Sequence, residues 1–139
     1  MREITFRGKL IKDSNDFKTY KKGVEIEGGF CRRGNKTFIV AHFSVFEVYP
    51  ESVKQYTGFK DKNGDYIYDG DILNDWTETD EGLKQSKQQV YWCEETGAWK
   101  LDNSFNQDKG NGELLSQELK NFEYEITGHV NEREVEKVL

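Results

Sequence analysis

Proline, cysteine and histidine are scarce in this 139-residue chain, which holds one proline, two cysteines and two histidines. Cys31 and Cys93 lie 62 positions apart, and no export signal precedes them, so a structural disulfide is not expected. Together with His42 and His129 they supply the elements of a zinc site without its short paired spacings. The cysteines read as small buried hydrophobes and the histidines as hydrogen-bonded structural residues. No apolar run reaches 18 residues, which excludes a transmembrane helix. The opening Met1-Arg2-Glu3-Ile4-Thr5-Phe6-Arg7 passes straight into polar/apolar alternation, without the apolar centre of a secretory signal. Gly28-Gly29 lacks the helix and Lys-Ser/Thr pair of a phosphate loop. The expectation is a soluble cytoplasmic protein with no membrane partner and no cofactor.

What the chain does have is aromatic bulk and charge. Hydrophobic residues make up only 35%, but 14% of residues are aromatic, and a chain of this length can bury about two thirds of its unfolded surface. That suits one domain, or a modest domain with a small companion. The net charge of -6 hides a division. Residues 1–40 carry ten basic and five acidic side chains, a balance of +5, leaving ten basic and 21 acidic, or -11, for residues 41–139. Such a dipolar chain can attract copies of itself or offer its basic end to an anion.

The periodicity is that of strands. Ile4, Phe6, Gly8 and Leu10 share one parity and predict a strand over about 3–11. Segment 13–23 has the composition of a loop, and Val24-Glu25-Ile26-Glu27 alternates up to Gly28-Gly29, a turn signal. Residues 37–49 are apolar at both parities. They read as one long strand covered on both faces, or as two strands bent near Ala41–Ser44. Pro50 cannot donate to a ladder and marks the end of a β-rich portion, residues 1–50. In the remainder, 51–139, Asn63-Gly64 between aromatic and β-branched arms predicts a tight hairpin turn. A second hairpin follows at 89–101. Residues 74–88 are polar and predict a mobile loop, 102–112 are turn-rich, 113–120 give a short helix, and 122–130 return to a strand. Five or six short strands with few helical residues predict a mainly β protein with minor α, built on a small barrel or curled sheet.

Catalytic signals are sparse. Asp69 and Asp71, two apart, would share a face of an extended strand as an acid/base pair does, but no nucleophile or third ligand accompanies them; turn capping or solvent exposure is the simpler role. Asp61-Lys62-Asn63-Gly64-Asp65 has its glycine at the wrong position for a calcium loop and suits a hairpin turn. Arg32, Arg33 and Lys36, beside Phe30 and Phe38, form the best nucleic-acid candidate, joining cations to stacking surfaces; Arg7, Lys9, Lys21 and Lys22 could extend it.

The run Ser52-Val53-Lys54-Gln55-Tyr56-Thr57-Gly58-Phe59-Lys60-Asp61-Lys62-Asn63-Gly64-Asp65-Tyr66-Ile67-Tyr68-Asp69-Gly70-Asp71-Ile72-Leu73 resembles the signature of the YopX family, small proteins encoded mostly by phages and prophages. Gln55, Tyr56, Thr57, Gly58, Asp61, Asn63, Gly64, Ile67, Tyr68, Gly70, Asp71 and Ile72 stand at motif positions. Ser52, Lys54 and Asp69 depart mildly, and Tyr124–Val130 is similar to the family's closing segment except at Thr127 and His129. The resemblance implies an SH3-type barrel in the C-terminal part, a β-rich N-terminal portion and a habit of forming oligomers. It brings no established activity. The motif residues themselves read as structural, with Gly70 permitting a bend that returns Ile72 and Leu73 to the core. The resulting expectation is a non-enzymatic phage or prophage accessory protein that forms a homo-oligomer and binds a host or phage macromolecule. The alternative is a nucleic-acid-binding regulator that uses the basic N-terminal part.

Overall fold

A computed structural model describes residues 3–14, 20–102 and 112–130, apart from the side chain of Thr77. The chain is mainly β and divides into two compact units, Met1–Tyr56 and Thr57–Leu139.

The first unit contains β1 (Phe6–Lys9), β2 (Glu25–Arg33), β3 (Lys36–Ala41), β4 (Ser44–Val48), a 3-10 turn (Pro50–Ser52) and the start of β5 (Lys54–Lys60). The strands are antiparallel in the order β4-β3-β2-β1-β5. Residues 37–49 are therefore a hairpin, the second of the two readings. Its turn is His42-Phe43, both with positive φ (52° and 63°). Only one face of it is covered. Ile39, Phe46 and Val48 join Leu10 and Ile26 in a buried cluster, whereas Val40 and Val45 on the opposite face are exposed.

The turn expected at Gly28-Gly29 is not there. Strand β2 runs through both glycines, pairing with β1 up to Gly28 and with β3 from Gly29 onward. A Cβ on Gly28 would collide with the carbonyl oxygen of Val40, so this glycine serves a close backbone approach. The turn comes later at Gly34-Asn35, where Arg33 pairs with Lys36 and Gly34 takes φ +60°. The ladder of β1 begins at Phe6, later than the expected strand. Beyond it, Leu10 bridges Val48, with Ile11 N–H donating to Glu47 O (3.1 Å) and Tyr49 N–H to Lys9 O (3.0 Å). This single bridge brings the end of β4 back to β1. Of the loop expected at 13–23, residues 15–19 lie outside the described residues; Ser14 and Tyr20 pair at its neck.

The second unit takes up β5 and adds β6 (Tyr66–Tyr68), β7 (Asp71–Thr79), β8 (Gly82–Cys93), β9 (Ala98–Asp102), β10 (Glu113–Leu114), α1 (Leu115–Asn121) and β11 (Glu125–His129). Here the order is β10-β9-β8-β7-β11, again antiparallel, with a register shift at Thr127. The polar loop expected at 74–88 is instead the greater part of the β7–β8 hairpin, paired from Ile72↔Gln89 to Thr79↔Gly82. Among the described residues no ladder joins β10 to β11, so the expected barrel is not closed; β10 is only two residues long. The turn-rich stretch at 102–112 falls mostly outside the described residues. The core gathers Ile67, Leu73, Val90, Trp99, Leu101, Leu115 and Tyr124, with Leu119 of α1 packed against it. Each fully buried aliphatic or aromatic side chain there contributes about 1.5–3 kcal/mol of burial free energy.

Candidate macromolecule-binding surfaces

The motif residues build turns and bends. In β5, Gln55 pairs with Phe6 and Tyr56 N–H donates to Thr5 O. The Thr57 hydroxyl donates to Ile67 O (2.8 Å) and accepts from Phe59 N–H (3.2 Å), spanning Gly58 at φ +92°. Asn63-Gly64 lies in a hairpin turn as expected, but only Gly64 has positive φ. The turn is thus wider than a two-residue mirror-image turn, with Asp61 N–H bonded to Asp65 O. The Asp61 carboxylate accepts from Asn63, Asp65 and Ile126 N–H. The buried Asp71 accepts Tyr68 N–H (2.7 Å), closing the turn in which Gly70 takes φ +85°. Ile67, Tyr68, Ile72 and Leu73 are buried around it.

Asp69 and Asp71 sit on this turn with different environments. Burial raises the Asp69 carboxyl above its ordinary value, and the neighbouring His129 charge partly opposes the shift. His129 approaches the backbone of Asp69, its Nε2 lying 2.8 Å from the carbonyl oxygen. The Asp71 carboxylate is engaged by a backbone group of the turn, and no cluster of three or more metal-ligating side chains forms among the described residues.

The basic candidate is divided by strand geometry. Directly opposed residues share a face, and Arg32 opposes Thr37 while Phe30 opposes Ile39. Arg32 and Phe30 therefore belong to the face that carries Ile39, and the Phe30 ring meets Phe6 at 5.4 Å between centroids. Arg33, Lys36, Cys31 and Phe38 lie on the other face with Val40 and Val45. Two of the cations available on this outer face are tied down, because Glu25 pairs with Lys54 (3.4 Å) and Arg7 (4.0 Å). Lys21 pairs with Asp13 (3.9 Å). Among the described residues no ion pair engages Arg33 or Lys36, which sit together at the turn.

Sequence reasoning missed the apolar part of this face. Phe43 is fully exposed at the β3–β4 turn, and Val45 is 57% exposed. A second apolar site lies on the β7–β8 hairpin, where Trp76 is 53% and Leu83 71% exposed. Trp76 opposes Gln85 and Leu83 opposes Glu78, making Trp76 and Leu83 diagonal neighbours on one face.

Taken together these features define a two-unit antiparallel β protein whose sequence motif serves its turns and whose β3–β4 and β7–β8 hairpins expose Phe43 and Trp76. The chain belongs to the YopX family, since the model of that family, described as YopX protein, matches residues 3–133. No curated protein and no solved structure matches the chain.

Proposed function

We propose that this protein is a non-enzymatic, self-associating binding module of a phage or prophage, acting in the bacterial cytoplasm on a host or phage macromolecule. The observation that carries this reading is the outer face of the β2–β3–β4 sheet, where Val40 and Val45 are exposed near the β3–β4 turn that bears the exposed Phe43, and Arg33 and Lys36 stand at the opposite end of β3. An apolar patch rimmed by charge is the usual form of a protein-binding surface. The motif carboxylates support a structural role because Asp61 and Asp71 hold backbone N–H groups. The absence of a long apolar helix among the described residues agrees with this setting. We read the five-stranded sheet, with its bulge at Thr127 and helix α1 against its core, as an open relative of the SH3-type barrel.

Light scattering after size exclusion tests self-association. The expected result is a mass above the monomer at low salt that falls at high salt; a monomer under both conditions rejects it. The second reading, nucleic-acid binding, is favoured by Arg33 and Lys36 standing paired beside Phe38 on one face. Reversing the charge of Arg32, Arg33 and Lys36 should then abolish binding to single- or double-stranded DNA or RNA and flatten its salt dependence. Absence of salt-dependent binding by the parent protein removes that reading.

A further inference from the structure

The β7–β8 hairpin outruns its sheet. Pairing with β11 ends at Asn74↔Glu125, and pairing with β9 reaches β8 only at Gln89↔Asp102. Beyond Asn74, Asp75–Thr79 pair only with Gly82–Ser86 among the described residues. The result is a two-stranded arm of about 16 Å. Two strands alone are marginal in water, and this pair also exposes Trp76 and Leu83 on one face. Its turn is well made: the Thr79 hydroxyl donates to Gly82 O (2.7 Å), Glu81 N–H donates to Thr79 Oγ1 (3.3 Å), and Gly82 takes φ +110°. The tip is acidic, with Glu78, Asp80 and Glu81 against Lys84.

The outer face of the β2–β3–β4 sheet has the opposite sign at its β2–β3 turn, and Glu47, opposed to Phe38, lies on it between that turn and the apolar pair. Its turn carries Arg33 and Lys36, and its exposed apolar residues, Val40 and Val45, form a directly opposed pair. From Lys36 to Val40 the strand rises about 13 Å, and from Trp76 to the Asp80 turn the arm rises about 13 Å. An arm laid along that face can therefore set Trp76 on Val40 and Val45, with Leu83 beside Phe38, while its acidic tip meets Arg33 and Lys36.

We infer that the β7–β8 arm of one copy docks on the outer β2–β3–β4 face of a second copy, joining subunits head to tail. This rests on the self-association proposed above and names its surfaces. The two patches are different, so the contact is heterologous, and each open assembly keeps one free arm at one end and one free face at the other, so that it grows as a filament until a ring closes.

Complementation between variants tests the contact. An arm variant, Trp76→Ser with Leu83→Ser, and a face variant, Arg33→Glu with Lys36→Glu, change exposed positions, and circular dichroism melts check that each still folds. Each variant alone should run as a monomer in size exclusion with light scattering, while an equimolar mixture should stop at a dimer, since each partner retains one working half. A single chain combining Arg33→Glu and Lys36→Glu with Glu78→Lys, Asp80→Lys and Glu81→Lys should regain the parent mass, which guards against misfolding of the serine variant. If the parent associates and the arm variant keeps its mass, or the mixture stays monomeric, the docking is overturned while self-association stands. A parent that is monomeric at every salt concentration overturns both.

Discussion

The carboxylate of Asp61 accepts the backbone N–H of Ile126 at 3.1 Å, tying the β5–β6 turn to a strand 65 residues further along the chain. Its other oxygen accepts Asn63 and Asp65 N–H, both at 2.9 Å. Asp61→Ala leaves three backbone donors without their acceptor, and should cost about 3 kcal/mol in urea unfolding. Asp61→Asn keeps an acceptor for the turn but turns an amide N–H₂ toward Ile126, so an intermediate loss is expected. With both oxygens committed, millimolar calcium should leave the melting temperature unchanged. An Asp61→Ala loss below about 0.5 kcal/mol would show that the carboxylate holds nothing together.

Gly70 and Gly64 share φ +85° but differ in their surroundings. A Cβ on Gly70 would lie 2.7 Å from His129 Nε2, whereas nothing lies within 4 Å of one on Gly64. Gly64→Ala should therefore cost the backbone term alone, about 1–2 kcal/mol. Gly70→Ala adds displacement of a buried ring and should cost clearly more, about 3 kcal/mol or above. Equal losses for the two variants in denaturant titration would contradict the crowding at His129.

The sequence made these turns legible because Asn63-Gly64 and Thr96-Gly97 are flanked by alternating apolar arms. It concealed others for physical reasons. His42-Phe43 has no turn chemistry, yet both residues adopt positive φ. Gly28-Gly29 looks like a turn, but the glycine is required where β2 passes close to Val40 O. The arm at 75–88 is exposed along most of its length, so burial imposes no apolar alternation on its sequence. In the candidate site, adjacency in sequence suggested one basic cluster, although side chains on a strand alternate and Arg32 and Arg33 must face opposite sides. Apolar residues at both parities of 37–49 suggested burial on both faces; the structure uses one parity for the core and leaves Val40 and Val45 exposed.

Asp69 should impart a pH dependence opposite to that of an ion-paired acid. Burial lifts its folded-state value above the ordinary 3.8 despite the His129 charge. The folded form therefore holds the proton more tightly than the unfolded chain does. The resulting stabilisation is fully present below the unfolded value and is lost as pH rises through the folded one. Asp69→Asn should remove that decline and leave the protein at least as stable as the parent at neutral pH. Chemical unfolding from acid to neutral pH measures the difference; a variant whose disadvantage grows with pH would contradict the burial argument.

Cys93 follows from a similar comparison of partners. Hydrogen bonding from the Thr96 side chain and backbone, aided by Lys100, lowers its thiol below the ordinary value, with burial opposing. The thiolate is the reacting form. In a Cys31→Ser background, Thr96→Val should slow alkylation of Cys93 by iodoacetamide near neutral pH by several-fold, and the gap should close as pH rises above the thiol's titration. A rate unchanged by Thr96→Val would show that the hydroxyl does not hold the thiolate.

The His42-Phe43 turn sets stability against association. Two consecutive non-glycine residues at positive φ cost about 1–2 kcal/mol each relative to residues suited to that region. Asn-Gly is the pair that a two-residue mirror-image turn favours. His42 does stack on Tyr20, with ring centroids 6.4 Å apart, which offsets part of the strain, whereas the fully exposed Phe43 gains little burial in the isolated subunit. The double replacement His42→Asn with Phe43→Gly should therefore raise the unfolding free energy by about 1–2 kcal/mol. If Phe43 is part of the docking face, the same variant should associate less strongly even though it is more stable. Urea unfolding and light scattering on one preparation separate the two effects. A variant that is both more stable and equally associated would leave the strained turn without a binding role, and a less stable one would show that the Tyr20 stack outweighs the backbone strain.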